Sequence, residues 1–165
     1  MPSRLRLAAA VLAALFAAVP FPAAAALSKG KSHTVRKAWA GAALRRRLVV
    51  RTALEQRGIP YVWGGASRNG FDCSGLVRFA YATVGFRLPH SSYALASVGR
   101  RVSRWALRPA DLIFFDSDGH VGIYIGGGRF VHAPHPGAAV RVGRLSQSWY
   151  AQTYVGARRL LPAPS

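Results

Sequence analysis

Cysteine is nearly missing from this chain: Cys73 is the single one in 165 residues. That excludes an internal disulfide and any metal site built on paired cysteines. Acidic residues are almost as scarce, five against 23 lysines and arginines, for a formal charge of +18. No cysteine lies near the end of the N-terminal apolar run, which argues against a lipid-anchored lipoprotein. There is also no helical HxxxH pattern, no internal repeat, and no low-complexity tract beyond the alanine-rich first segment.

That first segment has the layout of a secretory signal. Arg4 and Arg6 precede an apolar run from Leu7 to Phe21 broken only by Pro20, and Ala24, Ala25 and Ala26 offer small residues for cleavage. Residues 1–26 are therefore expected to be removed, leaving a protein exported to the periplasm or cell envelope. A retained anchor is the alternative, but Pro20 and Pro22 stand where a spanning helix should be unbroken. Exported proteins usually pair their cysteines, so a lone thiol has two readings, an inert small core residue or a nucleophile. The positive charge favours polyanions. Twenty of the 23 basic residues are arginine, in short runs at Arg45 to Arg47, Arg100-Arg101 and Arg158-Arg159. They form no helical stripe or nucleic-acid motif, so anionic envelope surfaces rather than nucleic acid are the expected electrostatic partners. A general compositional bias toward arginine would explain the same excess.

The remaining length suits one domain. Residues 27–42 are basic and lack sustained periodicity, and read as a flexible tail or linker. From Ala43 to Arg57 the spacing of Leu44, Leu48, Val49 and Ala53 predicts an amphipathic helix stopped by Gly58. A loop rich in glycine follows, and Asp72 then serves as N-cap for a helix carrying Leu76, Val77, Ala80, Tyr81 and Val84. A short helix is expected somewhere between Pro89 and Gly99. After Pro109, short apolar runs at 112–115, 121–125, 130–131, 139–142 and 154–155 read as strands. Helices first and strands afterwards predict an α+β domain, its N-terminal helices packed on an antiparallel sheet, over residues 43–162.

Cys73 would sit at a helix N-terminus, where unpaired amides stabilise a thiolate and can donate to an oxyanion. The adjacent Asp72 opposes thiolate formation, so a base is needed. His120 opens a predicted strand in which Val121, Ile123 and Ile125 face the core. If Gly126 to Gly128 form the hairpin loop, Gly122 opposes His132, and His120 and His132 share a face within reach of each other. A base oriented by a second polar group follows the logic of catalytic triads. His132, His135 and His120 could instead bind a metal, but Pro134 and Pro136 make that loop a poor chelating frame, so no metal and no cofactor are expected.

Five segments in order carry a resemblance: Tyr61 to Gly65, Phe71 to Val77, Arg108 to Phe115, His120 to Gly126, and Val131 to Pro134. Over roughly Leu44 to Arg159 the chain resembles the NlpC-type cell-wall cysteine peptidases. The resemblance implies a papain-like fold and hydrolysis of peptide bonds in peptidoglycan stems or cross-links that contain D-amino acids and diaminopimelate. It implies Cys73 as nucleophile, His120 as base and later acid, and His132 as the orienting group. Tyr61 would position the thiol or the oxyanion, and Asp72 and Ser74 would border the cleft. These three could also be a loop aromatic, an N-cap and an ordinary first-turn residue. Arg68, just upstream of the cysteine, is a candidate contact for substrate carboxylates. An amidase or acyltransferase using the same site, and a non-catalytic wall-binding protein, are the alternatives. Two departures stand out. Ala110 replaces the family's usual glycine before Asp111, which matters if that turn needs positive φ. No separate wall-binding domain is recognisable either, which leaves wall binding to the catalytic domain or its basic surface.

Overall fold

In the computed structural model, residues 28–161 are described; the expected signal segment, residues 1–26, lies outside them. The chain begins with a long helix, α1 (Ser28–Leu54). It covers the stretch read as a linker, which is a difference from the sequence expectation. Helix elongation adds a hydrogen bond per residue once a packed turn exists, so a helix anchored at Val49 and Ala53 extends backward through Ala38, Ala40 and Ala42 without an apolar period of its own.

Two short strands, β1 (Ala66–Ser67) and β2 (Gly70–Phe71), form a tight hairpin before α2 (Cys73–Ala82). The helix expected near residue 90 is a single turn, α3 (Ser92–Leu95), capped by Ser91. The remaining elements are β3 (Arg100–Val102), a 3-10 turn (Arg104–Ala106), β4 (Leu112–Phe115), β5 (His120–Gly126), β6 (Arg129–His132), β7 (Arg141–Arg144), α4 (Ser148–Thr153) and β8 (Tyr154–Arg159). Six strands make one antiparallel sheet in the order β3-β8-β4-β5-β6-β7. The α+β architecture is as predicted. The run at 139–142 is displaced: Ala139 makes only an isolated bridge to Pro60, and the strand proper starts at Arg141.

Period-two alternation explains how the sheet is covered on both faces. Leu112, Phe114, Val121, Ile123 and Val131 face α1 and α2, where Val49, Ala53, Leu76, Val77, Ala80 and Tyr81 meet them in the main core. Ile113, Phe115 and Phe130 point the other way and pack with Leu145, Ala157 and the partly buried Tyr150 and Tyr154. Every residue of β4 is therefore buried, which made its continuous apolar run legible.

The β5–β6 hairpin keeps the expected register at its base, with Ile123 opposite Val131 and Tyr124 opposite Phe130. Its tip differs: Gly126 pairs with Arg129, so a bulge absorbs one residue and only Gly127 and Gly128 form the turn, both at positive φ. The slip lies beyond the histidines and leaves their relation intact. Ala110 does adopt positive φ, 72°. It is buried, and its carbonyl accepts the Tyr81 hydroxyl, which ties the turn to α2. Beside it Asp111 and Arg159 form a buried ion pair, with Nε to Oδ1 and Nη2 to Oδ2 both 2.6 Å.

Candidate active site

Asp72 is the structural hub at the start of α2. Its backbone is extended, and Oδ1 accepts the amide of Gly75 at 2.6 Å as an N-cap does. Oδ1 also accepts the Ser74 hydroxyl at 2.9 Å, and Oδ2 accepts the Gly64 amide at 3.0 Å. His90 Nε2 lies 3.1 Å and 3.0 Å from the two oxygens. One carboxylate thus fixes the helix start, the glycine loop and the segment before α3.

Cys73 is the first residue of α2 and lies on the edge of the main core. Burial pushes its thiol above the ordinary range, and Asp72 adds to the rise. The amides of Val121, Ser74 and Cys73 itself oppose it by hydrogen bonding toward the sulfur. The Val121 amide is the link to the sheet, because it places the residue after His120 against the thiol. Tyr61 lines the same cleft; burial, with lesser contributions from Cys73 and Asp72, raises its phenol.

His120 Nε2 and His132 Nδ1 are 2.8 Å apart, and both rings are buried. The shared face derived from the strand pattern is observed. Gly122 is needed between them for space: a Cβ there would come within 2.7 Å of the Phe130 ring, so the small residue makes room mainly for the aromatic that floors the pair. His132 continues through Nε2 to the Tyr150 hydroxyl at 3.3 Å, and the Arg141 guanidinium lies against that oxygen. Phe115, Phe130 and Trp149 pack around Tyr150. Burial lowers His120 to about 4, an effect Asp116 partly opposes, and burial with the neighbouring His120 lowers His132 further still. Thiol and imidazoles are therefore all neutral at rest near pH 7.

A cleft of about 880 Å3 joins these groups, lined by Tyr61, Cys73 and Ser74 on the helix side and by His120, Arg141 and Trp149 on the sheet side. Cys73 and His120 line this one cleft, from α2 and from β5, the juxtaposition of a thiol and a neutral imidazole that nucleophilic catalysis uses.

A sequence profile described as the NlpC/P60 family matches residues 58–159. The chain belongs to that family. A probable endopeptidase of Mycobacterium tuberculosis is 50% identical over 109 residues, which are 66% of this chain and 28% of that protein. The murein DD-endopeptidase MepH of Escherichia coli is 39% identical over 117 residues, 66% of this chain and 43% of the relative. The chain thus spans less than half the length of either. Among solved structures, an NlpC/P60 family protein from Bacillus cereus superposes with a TM-score of 0.68 at 36% identity, over 71% of this chain and 40% of that one. The NlpC/p60 domain of the peptidoglycan hydrolase SagA gives 0.63 at 37% identity, over 70% of this chain and 98% of the domain.

Within this NlpC/P60 domain the cleft gathers Tyr61, Asp72, Cys73, Ser74 and His120, with His132 directly behind His120. Arg68 is not brought to it. It is exposed in the β1–β2 turn and is not among the cleft residues, because the hairpin carries it away although only a few residues separate it from Cys73. Asp72 borders the cleft, but its oxygens are occupied by protein donors, and His90, unsignalled in the sequence, is one of them. Tyr150 and Arg141 were also missed. Both meet His132 only through long-range packing, and the six-residue α4 is too short to show a helical period. His135 is exposed, its Nδ1 at 2.9 Å from the Pro136 carbonyl.

Proposed function

We propose that this NlpC/P60 domain is a peptidoglycan endopeptidase acting through Cys73, His120 and His132. The observation that carries the reading is the convergence of a thiol at a helix start with a hydrogen-bonded histidine pair in one cleft. In this mechanism His120 removes the thiol proton as Sγ bonds to the scissile carbonyl carbon. The oxyanion is met by amides at the start of α2, with the Tyr61 hydroxyl as a further donor. The C–N bond then breaks, His120 returns the proton to the leaving amine, and water, deprotonated by His120, hydrolyses the thioester. His132 holds the imidazole with one nitrogen committed away from sulfur. The relatives named as endopeptidases support peptide bonds of the wall as the target, in stems or cross-links containing D-amino acids and diaminopimelate. The proposal includes residues 43–162 as the catalytic unit and a removed signal at residues 1–26, which would deliver the enzyme to the periplasm or cell envelope.

Incubation of purified peptidoglycan with wild type and with Cys73→Ala, followed by mass spectrometry of released fragments, tests this reading. Wild type should release peptide fragments, and the variant should lose at least about a thousandfold of that rate. Equal release by both proteins would refute the nucleophile, and fragments carrying a newly formed acyl bond would move the activity to transfer.

A further inference from the structure

If His120 returns its proton to the leaving nitrogen, the leaving half of the substrate lies over the sheet side of the cleft, and the acyl half stays on the side of α2 and Tyr61. This placement rests on the proposed hydrolase reading. The sheet side carries two charged side chains that the catalytic steps do not use, Asp116 and Arg141.

Four of the five acidic residues of the whole chain fall in the NlpC/P60 match, and two of them are committed: Asp111 is in the buried pair with Arg159, and Asp72 is held by Gly64, Ser74, Gly75 and His90, while Asp118 does not line the cleft. Asp116 has no ion pair among the described residues, is exposed, and lines the cleft. Its field reaches His120. The backbone holding it is costly: Asp116, Ser117 and Asp118 all take left-handed φ, at 51°, 51° and 68°. Glycine would occupy such positions with less strain, yet carboxylates stand at the first and third of them, and the first lines the cleft. The Asp116 amide donates to the Thr153 carbonyl, which pins this turn to the end of α4. Arg141 also has no ion pair among the described residues, and it opens β7 opposite His132. Its guanidinium rests against the Tyr150 hydroxyl, which orients it beside the cleft without neutralising it.

We propose that Arg141 and Asp116 determine specificity for the leaving half of the substrate, Arg141 by pairing with a carboxylate and Asp116 by pairing with an ammonium group. A leaving residue with a free carboxylate and a free amine beyond the scissile nitrogen satisfies both. The arginine excess thereby acquires one directed use, at Arg141 rather than at Arg68.

Stem peptides differing only in the leaving half provide the test: carboxylate against carboxamide, and free against acetylated amine, each assayed as kcat/KM. Wild type should favour each charged form by about tenfold, the scale of one partly exposed charge-assisted contact. Arg141→Gln should bring the carboxylate ratio to about one and keep the amine ratio, and Asp116→Asn should do the reverse. A merely structural role would slow all four peptides alike and leave both ratios in place, which overturns the proposal. Calorimetric binding of the released leaving-half peptide to Cys73→Ala protein gives a second readout. The same charge preference in binding, without hydrolysis by wild type, would sustain the subsite and remove the hydrolase reading. Hydrolysis with flat ratios, or neither hydrolysis nor binding, would overturn the subsite.

Discussion

Acid should destabilise this domain through its buried histidine pair, and the structure sets the size of the effect. A histidine in the unfolded chain titrates near 6.5. In the folded state burial holds His120 at about 4 and His132 lower. Below about pH 6.5 the unfolded chain therefore binds protons that the folded chain does not, and stability falls as pH falls. The contribution is fully present above that pH and is lost progressively until the folded-state histidine itself protonates. Each such group removes about 1.4 kcal/mol per pH unit, so between about pH 6.5 and about pH 5 the pair removes about 4 kcal/mol. A domain of this size has only about 5–15 kcal/mol in total. Guanidinium chloride unfolding at a series of pH values reads this directly, as a midpoint that drops on the acid side. In His132→Gln the slope should fall by about half. A midpoint flat across that window, or an identical slope in the variant, would refute the buried neutral pair.

Two substitutions probe the frame that holds the thiol. Gly75→Ala would gain up to about 1 kcal/mol of helix propensity. Its methyl, however, would collide with the Gly65 carbonyl oxygen and come within 3.0 Å of His90 Nε2. Because Gly65 is backbone already bonded to the Asp72 amide, the collision should win, lowering stability by about 2 kcal/mol or more and reducing hydrolysis. A melting temperature at or above wild type would show that the glycine loop is not packed on α2 as described. Ala110→Gly relieves about 1 kcal/mol of left-handed strain but loses a buried methyl and adds unfolded-state entropy, each of similar size. Its stability should stay within about 1 kcal/mol of wild type. A larger change in the denaturation midpoint would show that the terms do not cancel.

The reach of local rules decides which parts of the site could be read from sequence. His120 and His132 belong to one hairpin, and period-two alternation with a glycine turn fixes their relation even though the turn itself is one residue shorter than expected. Asp72 and Cys73 were placed by a capping rule that acts within four residues. Arg68 is close to Cys73 along the chain but not in space, because the β1–β2 turn carries it out of the cleft. His90, Arg141 and Tyr150 reach the site from 17 or more positions beyond Cys73, through a loop, a strand start and a short helix, none with a periodic signature. The residues proposed for the bond chemistry therefore follow from short-range pattern, whereas those that surround them depend on how the sheet is closed. That division gives the charge of the chain its meaning. A formal excess of positive charge spread over the surface carries no specificity, whereas the proposed subsite rests on one guanidinium and one carboxylate in the cleft that have no ion-pair partner among the described residues.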